Sequence, residues 1–134
     1  MTSSSKPDRP SLHWTGVCLD CANADELAQF YAGLLGWEIT TRDGGWISMR
    51  DPVGGVGLNF QAEGWYQPPV WPEESDTRDK MLHFEIQVED LESAVTYVVG
   101  LGGRIAEYQP EDRAQDQLRV MLDPAGHPFC LYVD

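Results

Sequence analysis

The chain has 134 residues, 42% of them hydrophobic and 23% charged, a composition typical of one compact globular domain or of two small modules with a common core. Nine Lys and Arg residues stand against 22 Asp and Glu residues, and the formal charge of −13 argues against nucleic acid or an anionic membrane surface as a partner. No apolar run approaches the roughly 18 residues of a membrane-spanning helix, so we expect a soluble protein.

Residues 1–11 begin MTSSSKPDRP, a polar and turn-forming segment that lacks the apolar stretch of a signal peptide. We interpret them as a flexible tail and predict a cytoplasmic protein. The three cysteines, Cys18, Cys21 and Cys130, have no zinc-finger spacing, and their odd number disfavours a secreted disulfide framework. Reduced thiols are therefore expected.

Residues 12–61 predict a first module that starts with a strand and a helix. The apolar face of the strand consists of Val17, Leu19 and Cys21, which alternate with other residues. Asn23 or Asp25 can cap the helix that follows, and Gly36 can end it. The apolar stripe of this helix consists of Leu27, Phe30, Tyr31 and Leu34. A tight turn at residues 51–54 (DPVG) then joins two further strands.

Residues 82–134 repeat this pattern and predict a second module. GVCLDCANADELAQFYAGLLGW from Gly16 aligns with HFEIQVEDLESAVTYVVGLGGR from His83 at an offset of 67. Phe84, Ile86 and Val88 form the apolar strand face here, and Asp90 is the helix cap. WISMRDPVGGVGLNF then aligns with LRVMLDPAGHPFCLY at an offset of 72. Residues 62–81, rich in Pro and Trp, link the modules.

These patterns predict an α+β fold of two β-α-β-β-β modules, with two helices that cover one face of curled, mainly antiparallel sheets of about eight strands. The two modules should enclose a cleft for a small molecule. A strand followed by FYAGLLGWEI, then LHFEIQVEDLESAV and the closing DPAGHPFCLYV resemble the vicinal oxygen chelate superfamily, which includes glyoxalase I, bleomycin-resistance proteins, fosfomycin-resistance enzymes and extradiol dioxygenases. The resemblance extends from about Leu12 to Val133, and PPVWP and HPFCL are most similar to the glyoxalase-like domain subgroup.

The resemblance implies a divalent metal in the cleft, held by four positions on the first and last strands of the modules. His83 and Cys130 fall on the positions of the second module, and the two offsets place their counterparts at Gly16 and Leu58. Glycine and leucine cannot ligate a metal, so we expect no cofactor; a divalent metal at His83 and Cys130 is the alternative. Asn59 and His13 are weaker substitutes, because strand alternation turns them toward the helices.

Strand alternation also predicts which side chains line the cleft. Gly16, Cys18 and Asp20 should face it in the first module, as should His83, Glu85 and Gln87 in the second. Trp65, Tyr66 and Trp71 cluster in the linker and are candidates for an aromatic lid over a flat ligand. The predicted ligand-binding residues are Asp20, Leu58, Phe60, Trp65, Trp71, His83, Glu85, Cys130 and Tyr132.

Several of these residues have more than one interpretation. His83 and Glu85, roughly 6 to 7 Å apart on one strand face, can form an acid-base pair, although a single His beside an acid more often orients a ligand. Cys130 would be a nucleophile if His83 lowered its pKa, although an inert buried thiol is more common. Trp71 fits two interpretations equally well: part of the aromatic lid, or an anchor of the linker or contact with a second subunit.

Three functions remain open. The first is a metal-independent protein of the bleomycin-resistance type that sequesters an aromatic or partly cationic small molecule. The second is a metal-dependent lyase, isomerase or dioxygenase, with water or a partner subunit completing the site at His83 and Cys130. The third is a structural or regulatory module. Family members of this length usually pair, and open sheet edges with an aromatic linker offer a surface, so we predict a homodimer.

Overall fold

The computed structural model describes residues 9–72 and 80–134. Most of the predicted N-terminal tail and part of the predicted linker therefore lie outside the described residues. Within them, two similar four-stranded sheets each carry one helix, as the sequence predicts.

The first module consists of β1 (Gly16–Cys21), α1 (Ala24–Leu35), β2 (Glu38–Asp43), β3 (Trp46–Arg50) and β4 (Gly57–Ala62). The second consists of β5 (Phe84–Gln87), α2 (Leu91–Gly100), β6 (Arg104–Ile105), β7 (Leu118–Leu122) and β8 (Pro128–Tyr132). The strand orders are β1-β4-β3-β2 and β5-β8-β7-β6. The first and last strands of each module pair in parallel, and the other neighbours are antiparallel. This mixed pairing confirms the predicted α+β fold.

Both helices begin at the caps that the sequence indicates, and α1 ends at Gly36 as expected. The side chain of Asn23 accepts a hydrogen bond from the Glu26 backbone N–H at 3.0 Å, and Asp90 caps α2 in the same way. Gly36 ends α1 in the left-handed conformation with φ of 71°, which glycine adopts without strain. No helix in the described part of the chain is long and apolar enough to cross a membrane.

The two helices and the facing sides of both sheets share one apolar core. Tyr31 of α1 lies at its centre: its ring stacks on Phe60 of the first sheet at 5.8 Å between centroids and meets Phe84 of the second edge-on at 5.9 Å. The other large core side chains include Leu19, Leu27, Phe30, Leu91, Val95, Val98, Phe129 and Leu131. The modules therefore fold as one unit around a common core.

The predicted orientation of Leu58 and Phe60 toward the cleft is wrong. Both side chains are buried in the core, at 6% and 0% exposure. Residues paired in register project to the same side of a sheet. Phe60 pairs with Leu19, whose side chain is buried under the helices, whereas Asn59 pairs with the exposed Cys18. Asn59, predicted to turn toward the helices, therefore lies on the open face.

The error comes from one residue in a turn. Residues 51–56 connect β3 to β4, whereas residues 123–127 connect β7 to β8, so the first connection is one residue longer. Cys18 pairs with Asn59 as Glu85 pairs with Cys130, which makes Asn59 the structural counterpart of Cys130. A slip of one residue turns every side chain of a strand to the other face.

A buried carboxylate joins the two modules. Asp123, fully buried in the turn before β8, accepts a hydrogen bond from the Tyr31 hydroxyl of α1 at 2.7 Å. It also accepts the backbone N–H of Ala125 at 2.9 Å and that of His127 at 3.0 Å. The His127 ring nitrogen Nδ1 lies 2.8 Å from its second oxygen. Such a charge is tolerable in a core only when its lone pairs are occupied in this way.

The linker docks on the same turn. The Tyr66 hydroxyl donates to the Ala125 carbonyl at 2.7 Å and lies 3.2 Å from Nε2 of His127. Pro68 packs against Gly126 so closely that a Cβ on Gly126 would lie 2.7 Å from the Pro68 Cβ. The linker is thus held against the second module by a hydroxyl and by a close backbone approach that requires glycine.

We predict that Tyr31→Phe lowers the free energy of unfolding by about 1 to 3 kcal/mol, because Asp123 stays buried with one donor fewer. Urea denaturation measures the change. Tyr97→Phe is the matched control, since its hydroxyl donates to the Gly33 carbonyl at 2.8 Å from a side chain that is about half exposed. Equal losses in the two variants would contradict a special role for the buried carboxylate.

Gly126→Ala should destabilise the protein more than Gly54→Ala, by about 1 kcal/mol or more. Both glycines have positive φ, 91° and 93°, so alanine is strained at either position. A Cβ at Gly54 meets nothing within 4 Å, whereas one at Gly126 displaces Pro68. Thermal unfolding of both variants separates the backbone strain, which they share, from the clash with Pro68, which only Gly126→Ala has. Similar melting temperatures of the two variants would show that the linker does not dock tightly.

Candidate functional site

A cavity of about 240 Å³ lies where the first module, the second module and the linker meet. We call it the seam cavity; its volume corresponds to about eight water molecules at the density of the liquid. Its lining consists of Cys18, Leu19 and Asp20 of β1, Tyr31 of α1, Tyr66, Gln67, Pro69, Lys80, Met81 and Leu82 around the linker, and His83, Phe84, His127 and Pro128 of the second module. It is a concave site with apolar walls and a few polar groups, as small-molecule sites usually are.

Two of the predicted ligand-binding residues line the seam cavity. Asp20 lies on the open face of β1, two residues from the exposed Cys18, as alternation predicts. His83 immediately precedes β5, and its Nε2 lies 3.2 Å from the Glu85 carboxylate. The predicted His83 and Glu85 pair is therefore present, with Glu85 in a position to orient the ring.

A second imidazole, which the sequence interpretation missed, also lines the cavity. His127 is held by Asp123 through Nδ1, and its Nε2 faces the Tyr66 hydroxyl. The signal was the segment from Asp123 to His127, DPAGH, which we interpreted only as a turn. An Asp and a His four residues apart across a tight turn can meet side chain to side chain, which links the turn to the chemistry of the cavity.

The two tyrosines of this network are hydrogen-bond donors rather than acids. Burial raises the pKa of the Tyr31 hydroxyl well above its ordinary value, and the adjacent Asp123 charge raises it further. Burial followed by the Asp123 charge likewise raises the pKa of Tyr66. Both hydroxyls therefore keep their protons and hold the turn and the linker in place across the neutral pH range.

An open recess adjoins the cavity through the shared residues Asp20, Tyr66 and Gln67. Glu63 and Trp65 complete it, and the Trp65 side chain is 80% exposed. We call this recess the acidic mouth. Burial, and then the Asp20 and Glu63 charges, raise the pKa of the Cys18 thiol, so the negative potential of the two carboxylates reaches the cavity edge.

Glu85 and Tyr132 lie in a different recess, on the open face of the second sheet beside Arg113 and Gln117. Cys130 lies on β8, two residues before Tyr132 and in register with Glu85 of β5. Its thiol is not activated: burial and the Glu85 charge raise its pKa, and Lys80 and Arg113 offset this only in part. A thiol with a raised pKa is mostly protonated at neutral pH and gives no support to the hypothesis of a Cys130 nucleophile.

Trp71 anchors the linker. Its indole N–H donates to the Tyr108 carbonyl at 3.1 Å, and the two rings meet edge-on at 6.0 Å. The Lys80 amine lies 4.8 Å from the Trp71 ring centroid, within range of a cation–π contact. Of the two linker tryptophans, Trp65 thus borders the mouth of the cavity, whereas Trp71 holds the linker to the second module.

The residues at the implied metal positions suit a hard divalent ion poorly. With the corrected register these positions are Gly16, Asn59, His83 and Cys130. Gly16 has no side chain, so the Asn59 amide oxygen, the His83 imidazole and the Cys130 thiol remain, a set without the carboxylate that hard divalent ions prefer. Within residues 9–72 and 80–134, no group of three or more His, Cys, Asp or Glu side chains is placed to hold a metal. His13, also considered, is exposed beside Ser11, before β1.

Known structures share this architecture. A glyoxalase/bleomycin resistance protein/dioxygenase family enzyme from Burkholderia phytofirmans is 16% identical, with a TM-score of 0.65, over 89% of this chain and 96% of that one. A glyoxalase/bleomycin resistance protein from Albidiferax ferrireducens is 15% identical, with a TM-score of 0.60 and coverage of 90% and 98%. A glyoxalase family protein from Enterococcus faecalis is 19% identical, with a TM-score of 0.62 and coverage of 90% and 96%. At such identities the likeness concerns the fold.

No curated protein matches the sequence. The sequence profile of the glyoxalase-like domain, in contrast, matches residues 16–132, from the first residue of β1 to the last residue of β8. The match spans both modules and the linker between them. The chain therefore belongs to the glyoxalase-like domain family.

Proposed function

We propose that this protein binds a small aromatic or partly cationic molecule in the seam cavity, without a metal ion, and sequesters it. The observation that carries the proposal is the cavity itself, in which polar groups from both modules and the linker converge between apolar walls. Side chains that converge from three separate segments are positioned by the tertiary fold, which is the usual origin of a binding site.

The walls suit an aromatic group. Tyr66 and Phe84 border the cavity with their rings, and Leu19, Leu82 and Pro128 add aliphatic surface. Flat ligands gain both apolar burial and ring contacts in such a site. The linker closes one side through Tyr66, Gln67 and Pro69, so a bound ligand would lose much of its contact with water.

The acidic mouth suits a positive group. Asp20 and Glu63 supply two carboxylates, and Trp65 and Tyr66 supply aromatic faces next to them. Carboxylates and aromatic rings together bind organic cations through Coulomb attraction and cation–π contacts. A cation attached to an aromatic group would thus extend from the seam cavity into the mouth.

A thermal-shift screen of organic cations with aromatic groups, each paired with a neutral compound of the same shape, tests this function. We expect the cations to raise the melting temperature more than the neutral compounds. Asp20→Asn should weaken the binding of a cationic hit by about twofold to fivefold, the effect of losing one exposed ion pair. Asp112→Asn, an exposed Asp on the loop after β6, is the matched control and should bind as the wild type does.

Chelator treatment should leave the melting temperature and ligand binding unchanged, and elemental analysis should find far less than one divalent ion per chain. His83→Ala should alter ligand affinity by roughly 0.5 to 3 kcal/mol through a lost hydrogen bond. About one metal ion per chain that His83→Ala removes would instead favour a metal-dependent lyase, isomerase or dioxygenase.

We further propose that the protein is a homodimer. Met81 and Leu82, next to the cavity, are 97% and 56% exposed, and Trp14 before β1 is 73% exposed. Exposed apolar side chains beside open sheet edges are typical of a surface that a second copy covers. Light scattering at micromolar concentrations should give twice the chain mass of 15.0 kDa. A single-chain mass over that range would contradict the dimer.

A further inference from the structure

The seam cavity has the opposite charge balance from the whole chain. Its lining contains one acidic side chain, Asp20, and three basic ones, Lys80, His83 and His127. The whole sequence has 22 acidic residues against nine Lys and Arg and three His. Lys80 also packs over the Trp71 ring, and the two imidazoles are the other basic groups of the lining. Two of the three histidines of the chain thus face one small cavity.

The Asp123 carboxylate does not prevent His127 from donating a hydrogen bond to a ligand. The carboxylate is fully buried and already accepts from the Tyr31 hydroxyl, from two backbone N–H groups and from Nδ1 of His127. It is therefore saturated and shielded from the cavity. Its role is to fix the plane of the His127 ring, so that only Nε2 is directed away from the turn.

Nε2 of His127 acts as a donor in this arrangement. The Tyr66 hydroxyl directs its hydrogen to the Ala125 carbonyl at 2.7 Å, which leaves its oxygen facing Nε2 at 3.2 Å. Nδ1 likewise faces the Asp123 carboxylate, which only accepts, so the surroundings of the two ring nitrogens suit an imidazolium with a hydrogen on each. A distance of 3.2 Å is at the long end of N–H···O bonds, and a charged oxygen would form a shorter and stronger one.

We infer that the ligand of the seam cavity carries a carboxylate that His127 binds through Nε2, in addition to a positive group directed to Asp20 and the acidic mouth. This inference rests on the proposed function, because it names the ligand class of the same cavity. His83, which Glu85 orients, lines the same wall and can assist as a second donor. The ligand is then a small aromatic zwitterion rather than a simple cation.

Three compounds with one phenylethyl frame separate the two charges: phenethylammonium has the positive group, 3-phenylpropanoate has the carboxylate, and phenylalanine has both. Isothermal titration calorimetry with the full-length protein should give the tightest binding for phenylalanine. His127→Asn keeps an N–H that can reach Asp123 but removes Nε2. It should weaken the binding of phenylalanine and 3-phenylpropanoate about tenfold or more, and that of phenethylammonium less than threefold.

Asp20→Asn should have the reverse pattern, with the larger loss for phenethylammonium. His13→Gln, an exposed histidine before β1, is the matched control and should change none of the three affinities. If His127→Asn does not fold, as judged by circular dichroism, Tyr66→Phe replaces it. Loss of the Tyr66 hydroxyl weakens the docking of the linker for all three compounds but frees Nε2 from its contact, so the affinities of the two carboxylate compounds should rise relative to that of phenethylammonium.

The outcomes separate the inference from the function on which it rests. If phenethylammonium binds and the carboxylate of phenylalanine adds nothing, the inference is wrong and the proposed function stands. If phenylalanine binds best but His127→Asn does not reduce that preference, the carboxylate is bound elsewhere and the inference also fails. If none of the three compounds binds at millimolar concentration, both are overturned.

Discussion

The structure depends on one buried charge. Asp123 has no exposed surface, yet it joins the helix of the first module to a turn of the second through Tyr31, and it orients His127 toward the linker. A carboxylate in a core costs several kcal/mol unless every lone pair finds a donor. That demand fixes the turn, the helix and the imidazole relative to one another, and the same contacts form one wall of the seam cavity.

The repeat explains why a cavity lies at this place. Each module buries one sheet face under the helices, and the two modules then share a single core around Tyr31. The first strands of the modules, β1 and β5, are edge strands of their sheets, and the cavity lies between the residues at these edges. The linker closes the gap because Tyr66 and Pro68 dock on the turn at Gly126. The two repeated modules thus leave a gap between β1 and β5, and the linker, which has no repeated counterpart, covers it.

The sequence was sufficient for the fold because periodicity, helix caps and turn residues agreed in both copies. It was less informative about the site. An alignment that matches DPVG with DPAG does not reveal the extra residue between Asp51 and Gly57. The predicted register of β4 was therefore wrong by one residue, and Leu58 and Phe60 were predicted on the wrong face. The pairing of His127 with Asp123 depends on packing between distant segments. Asp20 and His83 were placed correctly because simple alternation determines their direction.

We propose that ligands bind in the seam cavity rather than on the open face of either sheet. The most direct measurement is a series of ¹H–¹⁵N spectra of the labelled protein during titration with phenylalanine. We expect the shifted backbone amides to concentrate at residues 18–20, 66–67, 83–84 and 127, with saturable changes. Shifts confined to the recess around Ser48 and Asn59, or to that around Glu85 and Tyr132, would contradict it.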